Sequence, residues 1–592
     1  MTRRLIQLLR PHPWALPVVV FFGTVSSLGE GIGISLFIPL VSSFVGSDPE
    51  TRGGGPLIAV LTRVFDNIPA GQRLPAICVA IVVCIAAKTS LTYAYSFFSN
   101  WVDTLVSSRL CTRIFNRLLT ARYSVFERIP ISRFSHALNI QAWRTSEALH
   151  TLLDLTVYVC TILVYLVLLL LISWQFTLFA LVALIFISWF SRAATRRATQ
   201  IGDLNTEGEK ALEERVVEGL AGMREIRTFG REEYESARFG GAANNLRKVA
   251  WRLNNIQQMV APLQEVLAVI LLVSIILLGG VRTAVDLAPI LVFSVLLYRL
   301  QPAFVGLERS RVHMMSLGGD VNSVFALLEE TEDPHPPTGK KRFGALTRCI
   351  EFDRVDFSYG REGIPALRQI SFRIPAGKVT ALVGPSGAGK STLINLILRF
   401  YDPAGGRILI DGNNLEDFDI SALKERIAVV NQDPFFFNTT IWQNIAYGKE
   451  NASDEDVVQA ALKAHAHDFI SQLPEGYATP MGNRGSLLSA GQRQRIALAR
   501  AIIRDPEILI LDEATNALDS ISEEAVQRSL EELRKERTVI VIAHRLSTIE
   551  HADNIIVVDQ GKVAEVGDFQ QLMANNGLFV QMYRMQHRGL IV

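Results

Sequence analysis

The sequence predicts a multi-domain membrane protein: a six-helix, all-α transmembrane part followed by a soluble α/β part built on a largely parallel sheet. Two observations predict it. Of the 592 residues, 49% are hydrophobic and mean hydropathy is +0.25, with the apolar excess concentrated in the first half. In the second half, strand-like runs (VTALV, IAVV, EILIL, TVIVIA, NIIVV) alternate with helical segments. That alternation implies parallel strands joined by crossover helices.

The N-terminal stretch MTRRLIQLLRPHPW is basic, but the apolar run after it is long and lacks a small-residue cleavage site. It reads as a first span and not as a secretion signal. A span needs about 20 apolar residues, and suitable segments lie near 14–45, 75–100, 152–172, 174–194, 257–280 and 287–308. Two large connections, 101–151 and 195–256, are polar with helical periodicity and rich in Lys and Arg. By contrast, 46–74 holds Arg52, Arg63 and Arg73, and the joint after the fifth span holds Arg282 alone. By the positive-inside rule both termini and the soluble part face the cytoplasm, and with no organelle-targeting segment in view a multi-pass protein of the bacterial plasma (inner) membrane is expected. Spans two to five then continue into the cytosol as long helices.

The charged, Pro- and Gly-containing stretch 329–345, EETEDPHPPTGKKRFGA, marks a linker. It separates a membrane domain, 1–328, from a soluble domain, 346–592. A net charge of +1 supplies no field for nucleic acid, and none is expected as a partner. Cys78, Cys84, Cys111, Cys160 and Cys349 lack metal-ligand spacing; two lie in one apolar stretch, where cysteine usually packs as a small hydrophobe, and inert packing is expected.

"ALVGPSGAGKSTLINLIL" matches G-x-x-x-x-G-K-[ST] between an apolar strand, Val379–Val383, and an apolar helix. Gly384, Gly387 and Gly389 let backbone N–H groups converge on phosphate oxygens at a helix N-terminus. Lys390 is placed for the β/γ-phosphates and Ser391 for Mg²⁺. In "EILILDEAT" four apolar residues carry Asp512 to a strand end, where it can hold the Mg²⁺ shell, and Glu513 is placed to polarise a water. ATP and Mg²⁺ are the cofactors these motifs call for.

The second half resembles the nucleotide-binding domain of ATP-binding cassette (ABC) transporters. "LLSAGQRQRIALARA" is similar to the family signature, keeping Ser489, Gly491 and Gln492, with Ala490 for the usual glycine. The resemblance assigns Tyr359 of "FSYG" to adenine stacking. It assigns Gln432 of "VVNQDPFFF" to sensing Mg²⁺ and facing the membrane domain, Asp519 of "NALDS" to the D-loop, and His544 of "VIAHRLST" to the γ-phosphate switch. Gly384, Pro385, Ser386, Gly387, Ala388, Gly389, Lys390, Ser391 and Thr392 form the phosphate loop. Seven motifs stand in the family's order over 345–585. One departure is "TPMGNRG", where Pro480 and Asn483 replace acids usual in exporters. Because the family signature contacts ATP on the opposite subunit, a chain with one cassette implies a half-transporter acting with a second copy of itself. Catalysis is then expected from Glu513, His544 and Gln432.

Six spans fused ahead of one cassette resemble the type IV exporters, with "ALNIQAWRTSEAL" (137–149) and "EGLAGMREIRTFGREEYESARF" (218–239) at the positions of their coupling helices. Such a machine flips or exports by ATP-driven switching. An ATP-gated channel or regulator shares the motifs, whereas a soluble ATPase is at odds with six spans and an importer with the fusion. Four ionisable residues fall near the expected midplane: Glu30, Lys88, Glu265 and Arg299. Such groups face a cavity or pair with one another. A Glu30–Lys88 bridge and a head-group site built on Lys88 and Arg299 are the two readings. "EGIGISLFIPLV" in span one also resembles flippases of lipid-linked glycans. The expected cargo is amphipathic, a lipid or lipid-linked glycan with an anionic head among membrane lipids, with a peptide or drug as the alternative.

Overall fold

The computed structural model describes residues 2–8, 10–37, 40, 69–194, 198–282, 287–332, 338–360, 365–482, 485–512, 537–543 and 549–587. The chain forms two compact units: residues 1–121 with 125–333, and residues 122–124 with 334–592.

The first unit is helical. After α1 (Thr2–Leu8) come α2 (Ala15–Ser35), α3 (Ala70–Thr120), α4 (Ala142–Ile172), α5 (Trp174–Ala194), α6 (Ala198–Ala221), α7 (Glu232–Arg282), α8 (Leu287–Ser316) and α9 (Gly318–Glu330). Six of these, α2, α3, α4, α5, α7 and α8, fall in the segments expected as spans, α2 over 15–35 of the expected 14–45. Among the described residues, Ala15–Ser35, Gln72–Thr120 and Ile131–Ile172 are long and apolar enough to cross a membrane by length and composition. Helices α3 and α7 have 51 residues each, about 75 Å at 1.5 Å per residue, against a hydrocarbon core of about 30 Å. More than half of each must therefore lie outside the bilayer.

Small residues let α2 approach its neighbours. Gly23, Ser26, Ser27, Gly31, Gly33 and Ser35 are buried on it, and a Cβ on Gly31 would come within 2.3 Å of Leu168 Cδ1. Hydroxyl pairs then tie the helices: Ser26 to Thr92 at 2.8 Å and Ser27 to Thr161 at 2.7 Å. This is the small-plus-polar packing by which helices associate in lipid.

Two boundaries differ from the sequence reading. The linker was expected from 329, but α9 continues to Glu330, and the division into units falls after Asp333. The segment 137–149 is a π turn (Ala137–Gln141) running straight into α4, with Ala137, Gln141, Ala142, Thr145 and Ala148 buried inside the first unit. Residues Arg122–Ser124 group with the second unit instead, where Tyr123 stacks on Phe400 with ring centroids 4.8 Å apart.

In the second unit, β1 (Cys349–Ser358), β2 (Pro365–Pro375), β4 (Gly405–Ile410) and β5 (Asn413–Asn414) form an antiparallel sheet of order β2-β1-β4-β5. A six-stranded sheet of order β10-β9-β3-β8-β7-β6 contains β3 (Val379–Val383), β6 (Ile427–Val430), β7 (Ile508–Asp512), β8 (Thr538–Ile542), β9 (Asn554–Asp559) and β10 (Lys562–Gly567). Only its β10–β9 pair is antiparallel. The parallel strands are continuous apolar runs because both faces are covered. Val379, Ala381, Val539, Val541, Leu509 and Leu511 enter one core, and Leu382, Ile540, Ile542, Ile508 and Ile510 enter the other. Each such Val, Leu or Ile side chain contributes about 1.5–3 kcal/mol by leaving water. Helices α10 (Lys390–Ile397), α11 (Ile441–Ala446), α12 (Asp454–Lys463) and α13 (Ala490–Ile502) belong to this unit.

Candidate functional site

The register of the parallel strands gathers the phosphate motifs on one edge. Leu382 of β3 lies beside Ile542 of β8, and Ile542 beside Asp512 of β7. Leu511 is level with Val430, the end of β6. The loop after Val383, the Asp512 carboxylate and Gln432, two residues past β6, therefore emerge at the carboxyl end of one sheet, where open α/β sheets bind ligands. Gly387 and Gly389 take positive φ, 78° and 108°. Gly389 caps α10, so the loop turns directly into that helix's N-terminus. Gly384 is required by close approach, since a Cβ there would lie 2.1 Å from the Val558 carbonyl oxygen.

The Lys390 side chain is buried and donates to the carbonyls of Gly384 (2.7 Å) and Pro385 (3.0 Å). Open space lies over Gly387. Tyr359 is 39% exposed, its ring edge-on to Phe357 and Tyr401, its hydroxyl 3.1 Å from Thr392 Oγ1. At the signature, Ser489 is the N-cap of α13 in a reciprocal capping box. Its Oγ accepts from Gln492 N–H at 3.2 Å, and Gln492 Oε1 accepts from Ser489 N–H at 2.9 Å. Ala490 begins the helix and Gly491 is buried within it. The motif's serine and glutamine thus satisfy two otherwise orphan donors and leave the helix end oriented. Glu513, Asp519 and His544 lie outside the described residues.

The first unit holds a separate cavity of about 410 Å³, lined by residues of α2, α3, α4 and α8. Glu30 sits in it between two cations, Oε2 3.3 Å from Lys88 Nζ and Oε1 3.5 Å from Arg299 Nη1. Tyr165 also lines the cavity. Lower down, Tyr95 donates to Asp154, which is 3.3 Å from His150. Glu30, Lys88 and Arg299, expected to meet near the midplane, come together. Glu265 does not: it is exposed on α7 and is not among the cavity-lining residues.

Comparison with known proteins follows the same division. The description "ABC transporter" matches residues 367–516, and "ABC transporter transmembrane region" matches 16–301. The heterocyst differentiation ATP-binding protein HepA of Nostoc sp. is 34% identical over 97% of this chain and 94% of its own. The chain belongs to the ABC transporter family. ATP-dependent lipid A-core flippases of Haemophilus influenzae (36% identical; 83% of this chain, 86% of theirs) and Pectobacterium atrosepticum (32%; 99% and 97%) are also similar. Among solved structures, a bacterial Atm1-family ABC exporter with ATP bound superposes with a TM-score of 0.83 at 27% identity, covering 98% of both chains.

This ABC transporter is a half-transporter of the exporter type, with one membrane region fused to one ATP-binding unit, and it couples ATP hydrolysis to transport. The loop residues fit ATP: positive-φ glycines, open space over Gly387, a helix N-terminus and an ammonium beside it. Sequence reasoning missed the support behind Gln432. Arg500, on α13, donates to the Phe435 carbonyl (2.8 Å), the Asn444 carbonyl (2.8 Å) and Asn444 Oδ1 (2.8 Å), over the Phe436 ring. Asn444 is fully buried and holds Phe437 by both N–H and carbonyl. Burial pushes the Arg500 guanidinium down to about 10, still charged at neutral pH. The signal was present, an Asn inside an apolar helix and an Arg in an apolar stripe, but spacing alone does not pair them.

Proposed function

We propose that this half-transporter works as a homodimer in the bacterial inner membrane, both termini cytoplasmic, and flips or exports a lipid or lipid-linked glycan with an anionic head group. One observation carries the cargo reading: a carboxylate, Glu30, shared between Lys88 and Arg299 inside a cavity. The cavity's other carboxylate, Asp154, is held by Tyr95 and His150, so around Glu30 two cations face one anion and leave positive charge there for a ligand. Arg299 supplies a planar fork suited to phosphate or carboxylate. The named substrate of the flippase relatives, lipid A-core, is of that chemical class.

In the proposed cycle, ATP lies between the phosphate loop of one copy and the signature segment of the other. Lys390 leaves the loop carbonyls to meet the β/γ-phosphates, and Tyr359 stacks on adenine. Mg²⁺, held by Ser391, Asp512 and Gln432, would neutralise phosphate charge. Glu513 positions water and His544 the γ-phosphate. Closure of the two cassettes switches the membrane helices from inward- to outward-facing, and hydrolysis resets them.

The test is ATPase activity in liposomes of defined lipid composition. Lipids with anionic heads are expected to stimulate the wild type. Lys88→Ala and Arg299→Ala should require about tenfold or more lipid for half-stimulation, the scale of one lost charge-assisted hydrogen bond. Basal activity should persist. Unchanged lipid dependence in both variants overturns the head-group reading, and stimulation by peptides alone would replace it.

A further inference from the structure

Away from the expected spans, the first unit brings His136, Glu209 and Asp320 together, one ligand atom of each lying within 4.8 Å of the others. His136 ends the short helix Ile131–His136 just before the π turn, Glu209 lies on α6, and Asp320 is in the first turn of α9. His136 and Asp320 are 2% and 1% exposed. The imidazole Nδ1 lies 2.7 Å from Glu213 Oε2, an acceptor, so the Nδ1–H donates there. In the neutral imidazole this leaves a lone pair on Nε2. Among the described residues this buried Nε2 has no hydrogen-bond partner, and neither has Asp320 Oδ1. Asn205, which donates to Glu209 Oε1 at 2.9 Å, likewise has a buried, unpartnered Oδ1.

Buried polar atoms without partners are uncommon in folded proteins. Here the two that face the cluster are both electron-pair donors, so a further hydrogen-bond acceptor does not suit them. The charges point the same way. Glu209, Glu213 and Asp320 are set against two cations. Arg144 donates to both Glu209 oxygens and, at 3.3 Å, to Asp320 Oδ2. Lys210 donates to Ser323 at 2.7 Å. One negative charge is left over. Arg144 occupies Oδ2 of Asp320 and leaves Oδ1; Glu209 Oε1 accepts from both Arg144 and Asn205, while Oε2, hydrogen-bonded to Arg144, retains a lone pair. An imidazole with a carboxylate on its far nitrogen, next to carboxylate oxygens, is the ligand chemistry of zinc and its first-row neighbours.

We propose that His136 Nε2, Asp320 Oδ1 and a Glu209 oxygen form a binding site for a divalent transition-metal ion of the zinc class, with Glu213 orienting the imidazole. A bound ion joins the start of α9 to α6 and to the segment ahead of α4. It would thereby brace α9, the last helix of the first unit. This site is independent of the cargo and of the ATP site.

Zn²⁺ titration of the full-length protein in detergent tests it, after chelator treatment and without nucleotide, read by competition with a chromophoric indicator and by thermal unfolding. One Zn²⁺ per chain is expected, together with a higher unfolding temperature. His136→Ala should lose affinity by at least about tenfold, and Glu213→Gln, which keeps all three ligands, by about 10- to 100-fold. The Zn²⁺-dependent rise in unfolding temperature should vanish in His136→Ala. Should His136→Ala not fold, Glu213→Gln carries the comparison. A wild type that binds no Zn²⁺, or folded variants that bind it as the wild type does, overturns the proposal.

Discussion

Gly384 leaves no room for a methyl group, because a Cβ there would press against the Val558 carbonyl oxygen. Gly384→Ala should therefore displace the phosphate loop from β9 and reduce ATP binding at least tenfold, measured with a fluorescent ATP analogue. Lys390→Ala tests the neighbouring role: nucleotide-dependent ATPase should fall to background while the protein still elutes as a folded species. These residues were legible in the sequence because the phosphate-loop chemistry depends on close spacing along the chain. Glu30 was only half legible. Its position inside an apolar run flags it, and Lys88 is a natural partner. That Arg299, from the last span, reaches the same carboxylate depends on how α2 and α8 pack, which no local pattern encodes. Glu265 shows the converse: a mid-span carboxylate that the fold leaves outside the cavity.

At the scale of elements, alternation of apolar strands and helices identified the parallel sheet, since buried strands must be apolar on both faces. Strand order did not follow from sequence, because β3 sits between β8 and β9, far along the chain. The capping box at Ser489 is likewise a local pattern, and Ser489→Ala should cost about 1 kcal/mol in urea unfolding of the second unit's transition. Asn444 is a different case. Its carboxamide makes hydrogen bonds to Phe437, Thr439, Thr440 and Arg500, all from a fully buried position. Asn444→Ala leaves several of these groups unpaired, and about 2–4 kcal/mol of destabilisation is expected. Its effect on ATPase should exceed its effect on ATP binding, because the segment it secures, from Phe437, lies five residues after Gln432.

For the whole molecule, a single cassette fused to a single membrane region makes the working unit larger than the chain. Glu513→Gln should trap a nucleotide-bound dimer, seen as a slower-to-dissociate species in size-exclusion with ATP. Near wild-type turnover would remove the assignment of Glu513. The division into two units was legible from composition, but its edge was not, because α9 carries helical residues into a stretch whose charges and prolines suggested a break at 329. The pairing of Glu30 with two cations also bears on how such a machine could run. A cavity with bare cations would hold an anion too firmly to let it go. On the proposed reading of the cargo, an arriving anion would trade places with the resident Glu30 at Arg299, and on leaving would hand the partner back. Loading and unloading would then be counter-ion swaps, and the work of ATP would go into choosing the side of the membrane on which the swap occurs.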